Sequence, residues 1–531
     1  MIERVFKAEN MIFFLLCIVS VFTYSQCMTD THLMPKWYFT AFVLLLAVLA
    51  LLVKSIFNRL SKIDFLIYSY FISFICLIQA LYGILQWLKL IPSVGRFQVV
   101  GSFDNPAGFS ACLCAGVPFT AFLLSKDNKR YMRLMGWIMG TIIVVAIVLS
   151  YSRAGIISLA AVCTIFLYQK LLHRRILKFS LLAGLVALIL GCYWIKKDSA
   201  DGRLLIWQSC INMVKDSPWI GHGLGSFEAH YMDYQAEYFR IHGQQNRYAM
   251  LADNVKHPFN EYMEILLNFG IIGLVILFAF IFLLIYCYKL NPDIEKKIAV
   301  YVLISIGTFS LFSYPFTYPF TWIITLLSVL IIIKEPIKVF FAASWKKNVV
   351  CALVIGCSMI GIYELVERIQ AELEWGRISK LTLSDSYDTV LPAYEKLEKA
   401  FADNPYFLYN YAAVLLEKKQ YNKSLEIALQ WRKYWADYDL ELILGENYQQ
   451  LNKPKLAEKY YNSASMMCPS RFLPLYKLFH LYKTNGEKER SLAMAEAVIS
   501  KPMKIKTTTI RMMKREMERE IQKMNMSIKL E

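Results

Sequence analysis

The chain has 531 residues, 57% of them hydrophobic and 15% aromatic, with a formal net charge of +17 and a mean hydropathy of +0.40. That is too apolar for an ordinary soluble protein and implies several membrane spans. The positive charge has a source in cytoplasmic loops that face anionic headgroups; no basic run interleaved with aromatics marks a nucleic-acid surface, so nucleic acid is set aside as a partner.

Apolar segments that reach across a bilayer run from about Met11 to Tyr24, Trp37 to Val53, Phe65 to Trp87 and Pro106 to Leu124. The first lacks a small-x-small cleavage site before Cys27 and reads as a membrane helix rather than a cleaved signal. From Trp137 to Leu171 the apolar run is broken only by Ser150-Tyr151-Ser152-Arg153, too long for one helix, so two helices meet at Arg153. Further spans fall near 179–195, 262–288, 298–313, 317–333 and 349–363. The total is about eleven, an all-α polytopic membrane bundle over residues 1–363.

Charge orients the bundle. With a cytoplasmic N-terminus (Arg4, Lys7), the inside loops hold Lys54, Arg59 and Lys62; Lys126, Lys129, Arg130 and Arg133; Lys170, Arg174, Arg175 and Lys178; Lys289, Lys296 and Lys297; and Lys334, Lys338, Lys346 and Lys347. The short outside loops hold only Lys36, Lys89, Arg96 and Arg153. Twenty against four satisfies the positive-inside rule. The long loop at about 196–261 then lies outside, with His222, His230, His242 and His257, four of the seven histidines.

The twelve cysteines form no disulfide framework. Nine sit in apolar runs, and Cys27, Cys210 and Cys468 stand alone. After about Tyr363 the pattern turns charged and helical. Residues 364–402 read as a connector, 403–502 as two to three tetratricopeptide-like repeats, and 503–531 as a charged helical tail. Ala412, Gly445 and Phe479 recur every 33–34 residues, with Ala457, Tyr461, Ala464 and Pro469 in the second unit. By topology the repeats are external. They read as a docking or stabilising appendage, open to an envelope-protein partner and apart from the chemistry.

Four outer segments carry candidate chemistry. Gly101-Ser102-Phe103-Asp104-Asn105-Pro106 opens a helix, with Asp or Asn as its cap. Arg153 sits inside an apolar run, where an arginine faces a cavity, a partner or the interface. Asp201-Gly202-Arg203-Leu204-Leu205-Ile206-Trp207 begins an amphipathic helix whose apolar positions Leu204, Trp207, Ile211 and Val214 would lie on the bilayer. It ends in Asp216-Ser217-Pro218-Trp219-Ile220-Gly221-His222-Gly223, a tight turn and no dinucleotide fingerprint. His257-Pro258-Phe259-Asn260-Glu261-Tyr262 then runs straight into an apolar helix through Gly270-Ile271-Ile272-Gly273. The histidines lack metal-ligand spacing and no HExxH occurs, so no metal is expected.

In this order the segments resemble the O-antigen ligase family, which includes O-antigen polymerases and protein O-oligosaccharyltransferases; the likeness covers roughly Phe65 to Leu330. It implies a helical fold of the lipid-linked-donor glycosyltransferase kind in a bacterial inner membrane. It further implies an undecaprenyl-pyrophosphate-linked glycan donor and no metal or other cofactor. On that resemblance Arg153 and Arg203 hold the donor diphosphate as permanent bidentate cations. His257 takes the acceptor hydroxyl proton, and inversion at the anomeric carbon follows. Asn105, Asn260, Trp207 and Gly223 support the site. The chain carries Phe259 where many members have a histidine immediately before the Asn, so Glu261 stands as the second base candidate. Lipid A core, a growing glycan and a protein all remain as acceptors. A lipid-linked-glycan flippase or a non-catalytic envelope scaffold are the competing functions, but neither broken charged helices nor an internal repeat supports a flippase.

Overall fold

The structure, a computed structural model, describes residues 7–56, 64–126, 130–171, 175–244, 246–340, 344–382 and 387–530. Arg4, Arg59, Lys62, Lys129 and Arg174, counted above among the inside charges, fall outside these, as does Glu531 at the end of the expected tail. Among the described residues the chain is helical and holds no strand. It divides into two compact units.

The first unit is Met1–Ile195, Phe259–Tyr262 and Val275–Arg377. Each expected span overlaps a helix: Ala8–Phe22, Leu33–Ile56, Phe65–Trp87, Pro106–Lys126, Arg130–Leu149, Arg153–Lys170, Arg175–Ile195, Glu261–Leu290, Ile294–Ser310, Pro319–Phe340 and Ser344–Thr382. Of these, Leu33–Ala50, Phe65–Trp87, Pro106–Leu124, Arg175–Ile195 and Glu261–Leu290 are long and apolar enough to cross a membrane. Ala8–Phe22, Arg133–Leu149 and Pro319–Lys334 are shorter apolar helices. The last helix of this group runs unbroken through the expected boundary at 363–364, and the units part at 377–378 instead.

The Pro106–Lys126 helix is central, packed against Phe65–Trp87, Arg130–Leu149, Arg153–Lys170 and Ile294–Ser310. Small residues permit the close approach. A Cβ on Gly116 would stand 2.2 Å from Cys76 Sγ, and one on Gly155 2.9 Å from Ser110 Cβ. Hydroxyls tie the helices across: Ser158 Oγ donates to Ser305 O at 2.7 Å, and Ser305 Oγ to Cys114 O at 2.9 Å. In hydrocarbon such groups have no water to turn to, so the pairing is required of the fold.

The second unit is Lys196–Pro258, Met263–Leu274 and Ile378–Glu531. The segment read above as the long outer loop is two helices, Lys197–Asp216 and Ser226–His242, and they share a core with the C-terminal helices. Those are Tyr387–Leu397, then three antiparallel pairs, Pro405–Glu417 with Tyr421–Trp431, Tyr438–Gln450 with Pro454–Met467, and Leu473–Thr484 with Lys488–Ser500, closed by Thr508–Leu530. Gly445 lies against the Tyr461 ring, where a Cβ would come within 2.5 Å, so the small residue is needed for the pair to close. The Ser226–His242 helix packs on Pro454–Met467.

The expected amphipathic face of Lys197–Asp216 is rotated. Leu205, Ile206, Ser209, Cys210 and Met213 are buried; Leu204, Trp207 and Val214 are half-buried and Ile211 is exposed. Protein, not lipid, covers the main stripe.

The helix after Glu261 does not run straight on. Gly270 is non-helical, with φ 63° and ψ −160°, which leaves the amides of Ile271 and Ile272 and the carbonyls of Leu267 and Asn268 without intrahelical partners. The glycine turn supplies all four: Ile271 N donates to Pro218 O (2.8 Å), Ile272 N to Trp219 O (3.1 Å), His222 N to Leu267 O (2.8 Å) and Gly223 N to Asn268 O (3.0 Å).

Candidate active site

The expected site residues divide between the units: Asn105, Arg153, Asn260 and Glu261 in the first, Arg203, Trp207, Gly223 and His257 in the second.

In the first unit the connections read as outer meet at one end. Asn105 caps the Pro106–Lys126 helix, its Oδ1 accepting from Ala107 N (2.8 Å) and Gly108 N (3.0 Å), while its Nδ2 donates to Tyr318 Oη at 2.7 Å. Tyr318 in turn donates to Asp104 Oδ1 at 3.1 Å. One turn into that helix, Ser110 Oγ donates to Ser152 Oγ at 2.7 Å. Ser152 caps the Arg153–Lys170 helix by accepting from Gly155 N. The two motifs are therefore one junction, with half-buried Arg153 at its helix start. Glu261 joins the same end: its Oε1 accepts from Phe316 N at 3.1 Å, and Tyr262 Oη donates to Gly307 O at 3.0 Å. Asn260 is the residue before that helix. Phe259, standing at the family's histidine position, has φ 55° and packs its ring 5.4 Å from Tyr314.

Two parts of this end were missed in the sequence. The first is the turn Tyr314-Pro315-Phe316-Thr317-Tyr318, which receives Asn105, Asp104 and Glu261 and also takes Trp37 Nε1 on Thr317 O at 2.8 Å. Its repeated Tyr-Pro-Phe-Thr signature was visible. The second is Lys36, counted above as a loop charge. It is 1% exposed, and its ammonium donates to Thr23 O (2.9 Å), His32 O (3.0 Å) and Ser102 O (2.9 Å), pinning the loop that ends in Asp104 and Asn105. Three carbonyls satisfy a buried ammonium's three protons.

In the second unit, Arg203 and Trp207 lie four residues apart on one helix and so on neighbouring positions of its surface. Trp207 Nε1 donates to Pro258 O at 2.9 Å, which ties that helix to the residue after His257. Gly223, at φ 91°, is a backbone partner of the broken helix. Burial, and after it the charge of Lys256, pushes the half-buried His257 down to about 4. Its imidazole is neutral throughout the physiological range. The other loop histidines are engaged locally: His222 Nε2 lies 2.8 Å from Met213 O, His242 Nδ1 2.9 Å from Tyr238 O, and the His222 and His230 rings are 5.8 Å apart. Among the described residues no three His, Cys, Asp or Glu are grouped to hold a metal. Glu228, which the sequence reading passed over, is pushed up to about 7, chiefly by burial, with Glu264 adding.

A family model described as O-antigen ligase matches residues 137–278. This segment is an O-antigen ligase domain. The match takes in Arg153, Arg203, Trp207, Gly223, His257, Asn260 and Glu261 and leaves Asn105 outside. It draws on both compact units and stops short of the C-terminal helices. No curated protein matches the chain. An O-antigen ligase domain on several apolar helices makes this a multi-pass membrane protein with a role in glycan transfer for O-antigen or surface-polysaccharide assembly.

Proposed function

We propose that the chain transfers a glycan from an undecaprenyl-pyrophosphate-linked donor to an acceptor hydroxyl on the periplasmic face of a bacterial inner membrane, as an O-antigen or surface-polysaccharide ligase. What carries this reading is the O-antigen ligase match over the segment that holds both arginines and both candidate bases. Arg153 and Arg203 bind the diphosphate oxygens, where a planar fork suits the geometry and neutralises the charge that grows on the leaving group. His257, neutral at working pH, accepts the acceptor hydroxyl proton. The acceptor oxygen forms its bond to the anomeric carbon as the bond from that carbon to the phosphate oxygen breaks. Undecaprenyl pyrophosphate departs with the electron pair, and the anomeric configuration inverts. The leaving group is good enough to need neither metal nor cofactor.

Glu261 is the weaker base, since one of its oxygens already accepts from the Phe316 amide. The C-terminal helix pairs, starting at Pro405, Tyr438 and Leu473, are read as tetratricopeptide-like and external, suited to an envelope-protein partner. Glycan profiling of a deletion strain tests the acceptor. Loss of long chains from lipid A core, with lipid-linked glycan accumulating, is the expected result. Shortened chains would assign a polymerase, and unglycosylated proteins a protein O-oligosaccharyltransferase. An unchanged glycan profile would overturn glycan transfer altogether.

A further inference from the structure

Residues 253–258 belong to no helix or strand, yet Asp253, Asn254, Lys256 and Pro258 are each held in place. Arg471 donates to Asp253 Oδ1 at 2.7 Å, and Lys504 stands 3.7 Å from the other oxygen. Asn254 Nδ2 donates to Asp437 Oδ2 at 2.6 Å, while Asp437 Oδ1 caps the Tyr438–Gln450 helix. The Lys256 ammonium lies 4.5 Å from the centre of the Tyr406 ring and 5.2 Å from that of Trp435. Gln235, 1% exposed, bridges with one amide nitrogen, donating to Asp253 O (3.2 Å) and Met467 O (2.6 Å). At the far end Trp207 holds Pro258 O.

We infer that Arg471, Asp437, Tyr406 and Trp435 of the C-terminal helices are positioning residues for the O-antigen ligase domain, fixing the Asp253–Pro258 segment that presents His257. The inference rests on His257 serving as the base. A coil of this length samples many conformations when free, and ordering it costs conformational entropy that only contacts can offset. Here the contacts are of the stronger kinds: a charge-assisted guanidinium–carboxylate pair, an amide on a carboxylate, and a cation over two aromatic faces. All of their partners lie beyond the segment that matches the family. The C-terminal helices thereby supply part of this enzyme's reaction centre without touching the reacting atoms.

The test uses the full chain in lipid nanodiscs. Amide hydrogen exchange is followed in the peptide spanning 249–260 for wild type, Arg471→Asp, Asp253→Arg, the double exchange of the two, Tyr406→Ala and Tyr406→Phe. Both single charge reversals and Tyr406→Ala are expected to speed exchange there by about tenfold or more. The double reversal and Tyr406→Phe, which keeps the ring, are expected to restore protection. In parallel, turnover is read as undecaprenyl pyrophosphate released from an undecaprenyl-pyrophosphate-linked oligosaccharide. The single variants should lose kcat by about tenfold with little change in KM, and the rescued variants should recover it. Unchanged exchange in every single variant overturns the clamp, and lost protection with full kcat overturns the positioning role. Absence of turnover in the wild type sinks the proposed reaction instead, and the exchange arm still decides whether the segment is clamped.

Discussion

His257 is more strongly perturbed than its place in the sequence suggested. An exposed histidine titrates near 6.5, whereas burial and Lys256 hold this one at about 4. A general base works only while unprotonated. With His257 as base, the pH profile of kcat/KM stays level from neutrality down to about pH 5 and falls as pH drops through about 4. His257→Ala should abolish that activity while donor binding persists. If His257→Gln keeps most of the wild-type rate and Glu261→Gln is dead, the carboxylate is the base. At this scale the motif residues could be singled out because each is a chemically distinctive group in a segment that the charge pattern reads as outer. Lys36, Asp104 and Tyr318 were not legible in these roles. Their meaning lies in contacts such as Tyr318 on Asp104 and Asn105, across more than two hundred residues of chain, and no local pattern encodes those.

At the scale of elements, the most consequential departure is the helix Glu261–Leu290. Its apolar run and the Gly270–Gly273 pair were both read from the sequence, as was the glycine turn at 216–223. Nothing local said that the turn and the helix complete one another. Breaking the helix at Gly270 releases backbone groups that would be costly to leave unpaired in an apolar setting, and the turn takes four of them. Glycine is required on both sides. Gly270 has φ 63°, and a Cβ there would lie 2.3 Å from the Trp219 carbonyl; Gly221 has φ 69°, and a Cβ would lie 2.5 Å from Leu267 O. Gly270→Ala and Gly221→Ala are each expected to cost about 1–3 kcal/mol or more, seen as a clear fall in the apparent melting temperature of the detergent-solubilised protein. Gly184→Ala, where an added methyl would meet nothing within 4 Å, should leave it unchanged or raised. Equal melting temperatures for all three variants would mean that the turn does not brace the helix.

Across the whole molecule, the positions of the apolar helices followed from hydropathy alone, because a bilayer forces long apolar runs. The composition of the second unit did not follow. The C-terminal helices looked separable in sequence, but the helices Lys197–Asp216 and Ser226–His242 share a unit with them. Leu205, Phe239, Tyr248 and Ala249 are buried there with Met466 packed against them, and Arg432 pairs with Asp233. Truncation after Arg377, where the first unit ends, is therefore expected to strip those two helices of the C-terminal side of their core. Limited proteolysis should then cut within 196–258 while the first unit stays intact; a truncated protein as resistant there as the full chain would return the C-terminal helices to the status of an appendage. Glycan transfer from a polyprenyl diphosphate can be assayed directly. Purified full-length protein is mixed with an undecaprenyl-pyrophosphate-linked oligosaccharide and candidate acceptors, and released undecaprenyl pyrophosphate is quantified. Release is expected to depend on acceptor and to be slowed about a hundredfold or more by Arg153→Lys and by Arg203→Ala; no release from the wild-type protein, or wild-type release from both arginine variants, would rule this reaction out.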